Sequence, residues 1–287
     1  MRVNKAVLAT GVAAIASLCS ASPASALKVK YVEAVNVVPA NSINSNDAQC
    51  PPGFKVTGGG AFSNGAFEET KLQASYPVDG EDANSKQDDA WRAVVWNTGA
   101  AAGNIESLAI CAKVELKYRS EPFSLGVSAP PRVKCGKDLM PTGGGIDTGG
   151  TFPLPVDLLS SRPSDGQDED TKPEAWFANA HPPGMATPFA ETYAICVKPS
   201  QLKPKYRTDS FSVDDQDQND GSALCKPGER VIGLGGATNA SSSALIAIFG
   251  VDGGDDDLKL DDGATVRIDN YNLTLDISPE TFAVCAK

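Results

Sequence analysis

The chain has 287 residues, 41% of them hydrophobic and 21% charged, with 27 glycines and 20 prolines. This composition can bury a core and excludes a disordered or collagen-like polypeptide, while the dense Gly and Pro punctuation excludes long helices and favours short strands joined by turns. The formal charge of −11 excludes nucleic-acid binding by phosphate neutralisation and disfavours anionic membrane surfaces.

At the N-terminus, Arg2 and Lys5 precede the apolar stretch Ala6 to Leu18, and Ala24-Ser25-Ala26 supplies a small-residue cleavage site. Residues 1–26 therefore read as a secretory signal peptide, with the mature chain starting at Leu27. Cys19 does not argue for a lipid anchor, because bulky Leu18 directly before it fits a lipoprotein signal poorly. The leader carries two cations and no acid, so its removal takes the balance from −11 to −13. No later stretch is long and apolar enough to span a bilayer, and the expected product is secreted and extracellular.

Six cysteines follow the leader, and neighbours in the series, Cys50 and Cys111, Cys135 and Cys196, Cys225 and Cys285, are separated by 61, 61 and 60 residues. Near-constant spacing signals internal repetition, here with a period of about 87 residues. The opening cysteine starts Cys50-Pro-Pro-Gly-Phe-Lys-Val-Thr-Gly-Gly-Gly60, Cys135-Gly-Lys-Asp-Leu-Met-Pro-Thr-Gly-Gly-Gly145 and Cys225-Lys-Pro-Gly-Glu-Arg-Val-Ile-Gly-Leu-Gly235. The closing cysteine ends Leu108-Ala-Ile-Cys111, Tyr193-Ala-Ile-Cys196 and Phe282-Ala-Val-Cys285, and Tyr31, Tyr118 and Tyr206 each follow a lysine near the start of a repeat. Three β repeats at 27–113, 114–201 and 202–287 result. Six cysteines allow 15 pairings. Equal spacing in an oxidising compartment selects Cys50–Cys111, Cys135–Cys196 and Cys225–Cys285.

These motifs read as strands. In Leu108-Ala-Ile-Cys111 the bulky residues fall on one face and Ala109 and Cys111 on the other. If the glycine segment is regular, Cys50, Gly58 and Gly60 share parity, and one side of the strand is bare enough for close approach by a chain segment or an aromatic ring. Trp91 to Asn97 is a further strand, apolar on both faces in its second half and so central. Trp91 and Trp176 each stand 20 residues before a closing cysteine, where the third repeat has Thr265.

About five short strands per repeat are expected. Only about four residues separate one closing strand from the next opening one, too few for flexible linkers between beads, so the repeats should pack on each other. The preferred architecture is all-β, a β-prism-like pseudo-threefold assembly, with three small β-sandwiches in a row as the alternative. The repeated Cys-Pro-x-Gly, Gly-Gly-Gly and Ala-Ile-Cys signature, over most of residues 50–287, resembles secreted bacterial proteins of unassigned function. The second copy departs from it by lacking Pro-x-Gly after Cys135. The resemblance implies no activity.

No catalytic set stands out. The glycine runs lack the Lys-Ser/Thr and following helix of a phosphate loop. The single histidine, His181, lies in the turn-like His181-Pro-Pro-Gly184, which gives a histidine-dependent triad or zinc site little support. Carboxylates are abundant, but none is singled out as a glycosidase acid. The notable recurrence is acidic: Asp79-Gly-Glu-Asp-Ala-Asn84, Asp165-Gly-Gln-Asp-Glu-Asp170 and Asp252-Gly-Gly-Asp-Asp-Asp257. Calcium takes six to eight oxygens at ~2.3–2.6 Å, which clustered Asp and Asn side chains with turn carbonyls can supply. The candidate ligands are Asp79, Asp82 and Asn84, then Asp165, Asp168 and Asp170, then Asp252, Asp255 and Asp257. Duplication alone would copy a solvated acidic turn as faithfully, so both readings stand.

The functional expectation is a secreted, non-enzymatic binding protein, carbohydrate-binding or adhesive and calcium-assisted, using three equivalent loop sets for multivalent contacts with a glycan or cell-surface protein. An extracellular structural or protein-interaction component, an inhibitor, and least of all a hydrolase are the alternatives.

Overall fold

The computed structural model describes residues 27–63, 69–80, 86, 88–126, 130–149, 156–165, 172–182, 189–252, 261–272 and 274–287. Among them every regular element is a strand. The first repeat supplies β1 (Val29–Val38), β2 (Ser42–Gln49), β3 (Lys55–Ser63), β4 (Thr70–Val78), β5 (Ala90–Asn97) and β6 (Gly103–Ala112). The second supplies β7 (Leu116–Ser124), β8 (Arg132–Lys134), β9 (Met140–Asp147), β10 (Asp157–Ser164), β11 (Ala175–His181) and β12 (Phe189–Val197). The third supplies β13 (Lys205–Ser210), β14 (Gln218–Leu224), β15 (Arg230–Ala237), β16 (Ser243–Val251), β17 (Gly263–Asn270) and β18 (Glu280–Ala286). There is thus one strand per repeat more than the sequence pattern suggests. The second strand of each repeat, β2, β8 or β14, is polar or only three residues long, and all three are sheet edges, where little apolar surface is needed.

The strands form three six-stranded antiparallel sheets, ordered β1-β6-β3-β16-β17-β14, β2-β5-β4-β9-β12-β7 and β13-β18-β15-β10-β11-β8. Each repeat is divided between two sheets, and each sheet joins halves of two repeats. Ala61 on β3 lies opposite Ile248 on β16, Ile146 on β9 opposite Ser75 on β4, and Gly236 on β15 opposite Ser161 on β10. The first repeat therefore leans on the third, the second on the first and the third on the second. This cyclic exchange is the β-prism-like threefold assembly, and it excludes sandwiches in a row. The largest apolar cluster draws on all three repeats.

The glycine strands β3, β9 and β15 converge at the centre. A Cβ on Gly233 would lie 1.8 Å from the Thr142 carbonyl, one on Gly143 2.5 Å from the Thr57 carbonyl and one on Gly58 2.6 Å from the Gly233 Cα, so a side chain at any of these positions would hold the strands apart. The opening tyrosines fasten the same centre. Tyr31 donates to the Val231 carbonyl at 2.8 Å, Tyr118 to the Val56 carbonyl at 2.7 Å and Tyr206 to the Pro141 carbonyl at 2.8 Å, each reaching into the neighbouring repeat. Burial pushes the Tyr118 and Tyr206 hydroxyls well above their ordinary value, and the charges of Asp88 and Asp89 add to this at Tyr118.

The expected parity of Cys50, Gly58 and Gly60 fails, because a β-bulge between Val56 and Gly58 shifts the register. Gly58 and Gly60 face the third repeat, while Gly59 faces the interior of its own, where a Cβ would lie 2.4 Å from the Trp91 ring. Gly144 meets Trp176 at the same 2.4 Å. The two indoles are buried, and their N–H groups donate to Ser75 at 2.8 Å and Ser161 at 3.0 Å. Removing such a side chain typically costs about 3–5 kcal/mol. Disulfides Cys50–Cys111, Cys135–Cys196 and Cys225–Cys285 close each repeat. In the third repeat the strand pairing makes Ala264, not Thr265, the counterpart of Trp91 and Trp176, because two residues are missing between the opening cysteine and this position and one is added between it and the closing cysteine. Ala264 faces Gly250 across the ladder as Trp91 faces Pro77 and Trp176 faces Pro163.

After each opening cysteine the chain makes a tight turn closed by Phe54 N–H to Pro51 O, Leu139 N–H to Gly136 O, and Glu229 N–H to Lys226 O. The third residue of the turn needs positive φ, supplied by Gly53 at 77° and Gly228 at 76°. In the second repeat, which lacks the Pro-x-Gly, Asp138 takes that conformation at 62°, which a short polar side chain tolerates. The turn thereby presents three different residues, Phe54, Leu139 and Glu229, at one position of the fold.

Candidate functional site: the grooves at the sheet junctions

Where each glycine strand meets the neighbouring repeat, equivalent positions carry different chemistry. At the β3–β16 junction, Phe62 and Phe249 meet edge to face with centroids 5.3 Å apart. Leu108, Gly250 and Val251 line the same groove of about 450 Å³, and Glu33, Glu106 and Asp252 add carboxylates to it. Partial burial raises the Glu106 pKa, and the charge of Glu33 raises it further. Arg267 lies 5.5 Å from the Phe62 ring centre, and Asp220 fixes its guanidinium through bonds of 2.6 and 2.7 Å. Alternation along β1 places Glu33, Val35 and Val37 on one face, with Val35 63% and Val37 54% exposed, and Val35 stands across from Glu106.

At the β9–β4 junction the same places are filled. Tyr76 and Tyr193 stack with centroids 5.5 Å apart, and the Tyr193 hydroxyl donates to Glu191 at 2.7 Å. Burial, reinforced by the charge of Asp147, pushes the Tyr76 hydroxyl up to about 12, against a lowering by Arg92. At the β15–β10 junction the guanidinium of Arg162 lies 5.6 Å from Phe282 and 5.7 Å from Phe177. Two acids recur throughout: a glutamate five residues before each closing cysteine (Glu106, Glu191, Glu280) and an aspartate directly after the strand that crosses to the neighbouring repeat (Asp79, Asp165, Asp252).

The acidic loops therefore begin at the junctions. Asp79, Asp165 and Asp252 follow strands of three different sheets. Asp82, Asn84, Asp168, Asp170, Asp255 and Asp257 lie outside the described residues. Among the described residues no group of three or more His, Cys, Asp or Glu is placed to hold a metal ion. His181 ends β11 and is exposed. The aromatic pair escapes a reading of the sequence because Phe62 and Phe249 come from different repeats and only the cyclic pairing joins them. The recurrent glutamate was available as a signal, at a fixed distance from each closing cysteine.

Among the described residues no helix is long and apolar enough to cross a membrane, which with the three disulfides is compatible with an extracellular protein. No known protein family and no curated protein matches the chain.

Proposed function

We propose that the chain is a secreted, non-enzymatic glycan-binding protein and that the β3–β16 groove is its principal site. The observation that carries the reading is the pairing of Phe62 and Phe249 with Glu33, Glu106 and Asp252 in one groove. Aromatic rings accept the C–H faces of a sugar, and carboxylates accept hydrogen bonds from its hydroxyls. Val35 and Val37 extend the apolar strip for a longer chain. Calcium assistance through the acidic loops is part of the proposal, since each loop leaves the fold at the rim of a junction. A second reading, a structural or protein-interaction component of the cell exterior, draws on the same exposed valines.

A glycan array probed with and without calcium tests this. Binding of neutral glycans that falls at least tenfold in Phe249→Ala, with disulfides and melting temperature retained, supports the site. Retained binding in that variant overturns it. Calcium-independent binding removes the metal from the proposal and leaves the groove.

A further inference from the structure

The position after the opening-cysteine turn is answered differently in each repeat. In the third, Glu229 is buried, and its carboxylate accepts from Lys205 at 2.6 Å, from Arg207 at 2.8 Å and from the Lys226 backbone N–H at 3.2 Å. In the first, Phe54 occupies the place, with Lys30 and Lys113 over its ring at 5.7 and 5.0 Å. In the second, the counterparts of Lys205 and Arg207 are Lys117 and Arg119, flanking Tyr118 as those flank Tyr206, but the residue at the Glu229 position is Leu139. Among the described residues no anion answers these cations. Lys117, Arg119 and Lys198 make no side-chain hydrogen bond or ion pair with any described residue.

Instead, they and Leu139 line an open cleft of about 820 Å³ between the first and second repeats. Of its remaining charges, Lys55 is paired with Asp88, Lys86 is itself engaged, and Glu115 accepts from Gln201 at 3.4 Å. We infer that this cleft binds a small multivalent carboxylate, one carboxyl group lying between Lys117 and Arg119 where Glu229 lies in the third repeat, and a second reaching Lys198. The third repeat is the internal precedent: the same Lys and Arg, on the same strand of the same fold, close on a carboxylate. The chain's overall negative charge does not forbid this, because at physiological salt it is screened beyond ~8 Å and the local cations dominate inside the cleft. This site is separate from the aromatic groove and does not depend on its ligand.

The ligand class has two sources, a free polycarboxylic acid or a uronic-acid oligosaccharide, and two probes separate them. Calorimetry at low ionic strength with citrate and with digalacturonate, against neutral cellobiose, is expected to show saturable, salt-sensitive binding of at least one acid, whereas any binding of cellobiose belongs to the aromatic groove and is insensitive to salt. The tighter acid identifies the source. Leu139→Glu, which rebuilds the arrangement of the third repeat, should weaken binding at least tenfold while the melting temperature holds or rises. Lys117→Gln with Arg119→Gln should weaken it comparably without touching the turn. Absence of binding by both acids, or wild-type affinity in either variant, overturns the inference.

Discussion

In the first repeat Trp91 lies on Gly59 with its indole N–H on Ser75, and in the second Trp176 lies on Gly144 with its N–H on Ser161. In the third the corresponding places hold Ala264, Leu234 and Ile248, all buried in the common core. Volume lost at the aromatic position returns at the glycine position, and the hydroxyl disappears together with the N–H it accepted. A core keeps its stability through such exchanges when total volume and polar pairing are both conserved, because neither a cavity nor an orphaned donor is left. Loss of a large aromatic in one repeat is thus a coordinated repacking, not decay.

The sharpest way to break this comparison is to move one element of the third solution into the first repeat. Gly59→Leu drives a side chain into the Trp91 ring and should cost about 3 kcal/mol or more. Adding Trp91→Ala and Ser75→Ile should recover most of the loss, to within about 1.5 kcal/mol of wild type. Denaturant unfolding followed by circular dichroism, with disulfides intact, reads both. Losses that simply add across the three substitutions would show that the third repeat is packed on other terms.

A second contrast concerns Glu229. Burial alone would raise its pKa, but hydrogen bonds from Lys205, Arg207 and the Lys226 backbone outweigh this and lower it from 4.5 to about 2. A carboxyl depressed in the folded state stabilises above its unfolded pKa, and that contribution is lost as pH falls from about 4.5 towards 2. Glu229→Gln should remove roughly 2 kcal/mol near neutrality and flatten this acid limb. A melting-temperature profile against pH with the same acid slope in both proteins would refute the assignment. The smallest effect is expected from Ser75→Ala, which leaves a buried indole N–H without its acceptor and should cost about 1 kcal/mol. The same hydroxyl removed at Ser161 should cost a similar amount, and a large difference between the two would mean that the tryptophan repeats are not equivalent.

The threefold architecture was legible because cysteine spacing and small-residue alternation are local. Leu108-Ala-Ile-Cys111 shows both faces of its strand, and the strand does present Leu108 and Ile110 to one cluster and Ala109 and Cys111 to another. What stayed hidden depends on single-residue offsets or on pairing between repeats. A bulge at Thr57 takes the cysteine off the face that Gly58 and Gly60 share, and compensating length changes on either side of the site move the tryptophan counterpart in the third repeat from Thr265 to Ala264. Edge strands such as Ser42–Gln49 carry too little apolar residue to announce themselves. The groove of Phe62 and Phe249 and the unanswered pair Lys117 and Arg119 become visible only when the repeats are compared in space.

The cyclic pairing also has a kinetic side. β3 pairs with β6 inside its own repeat, but its other edge meets only β16 and waits until nearly the whole chain has emerged, while β9 can dock on β4 as soon as the second repeat exists. Contacts of such long sequence separation form slowly, and an unpaired strand edge is a template for association with other chains. Closing the ring between the first and last repeats is therefore the expected slow step of folding, and an intermediate of two joined repeats, with the third undocked, is the state most in need of protection from aggregation.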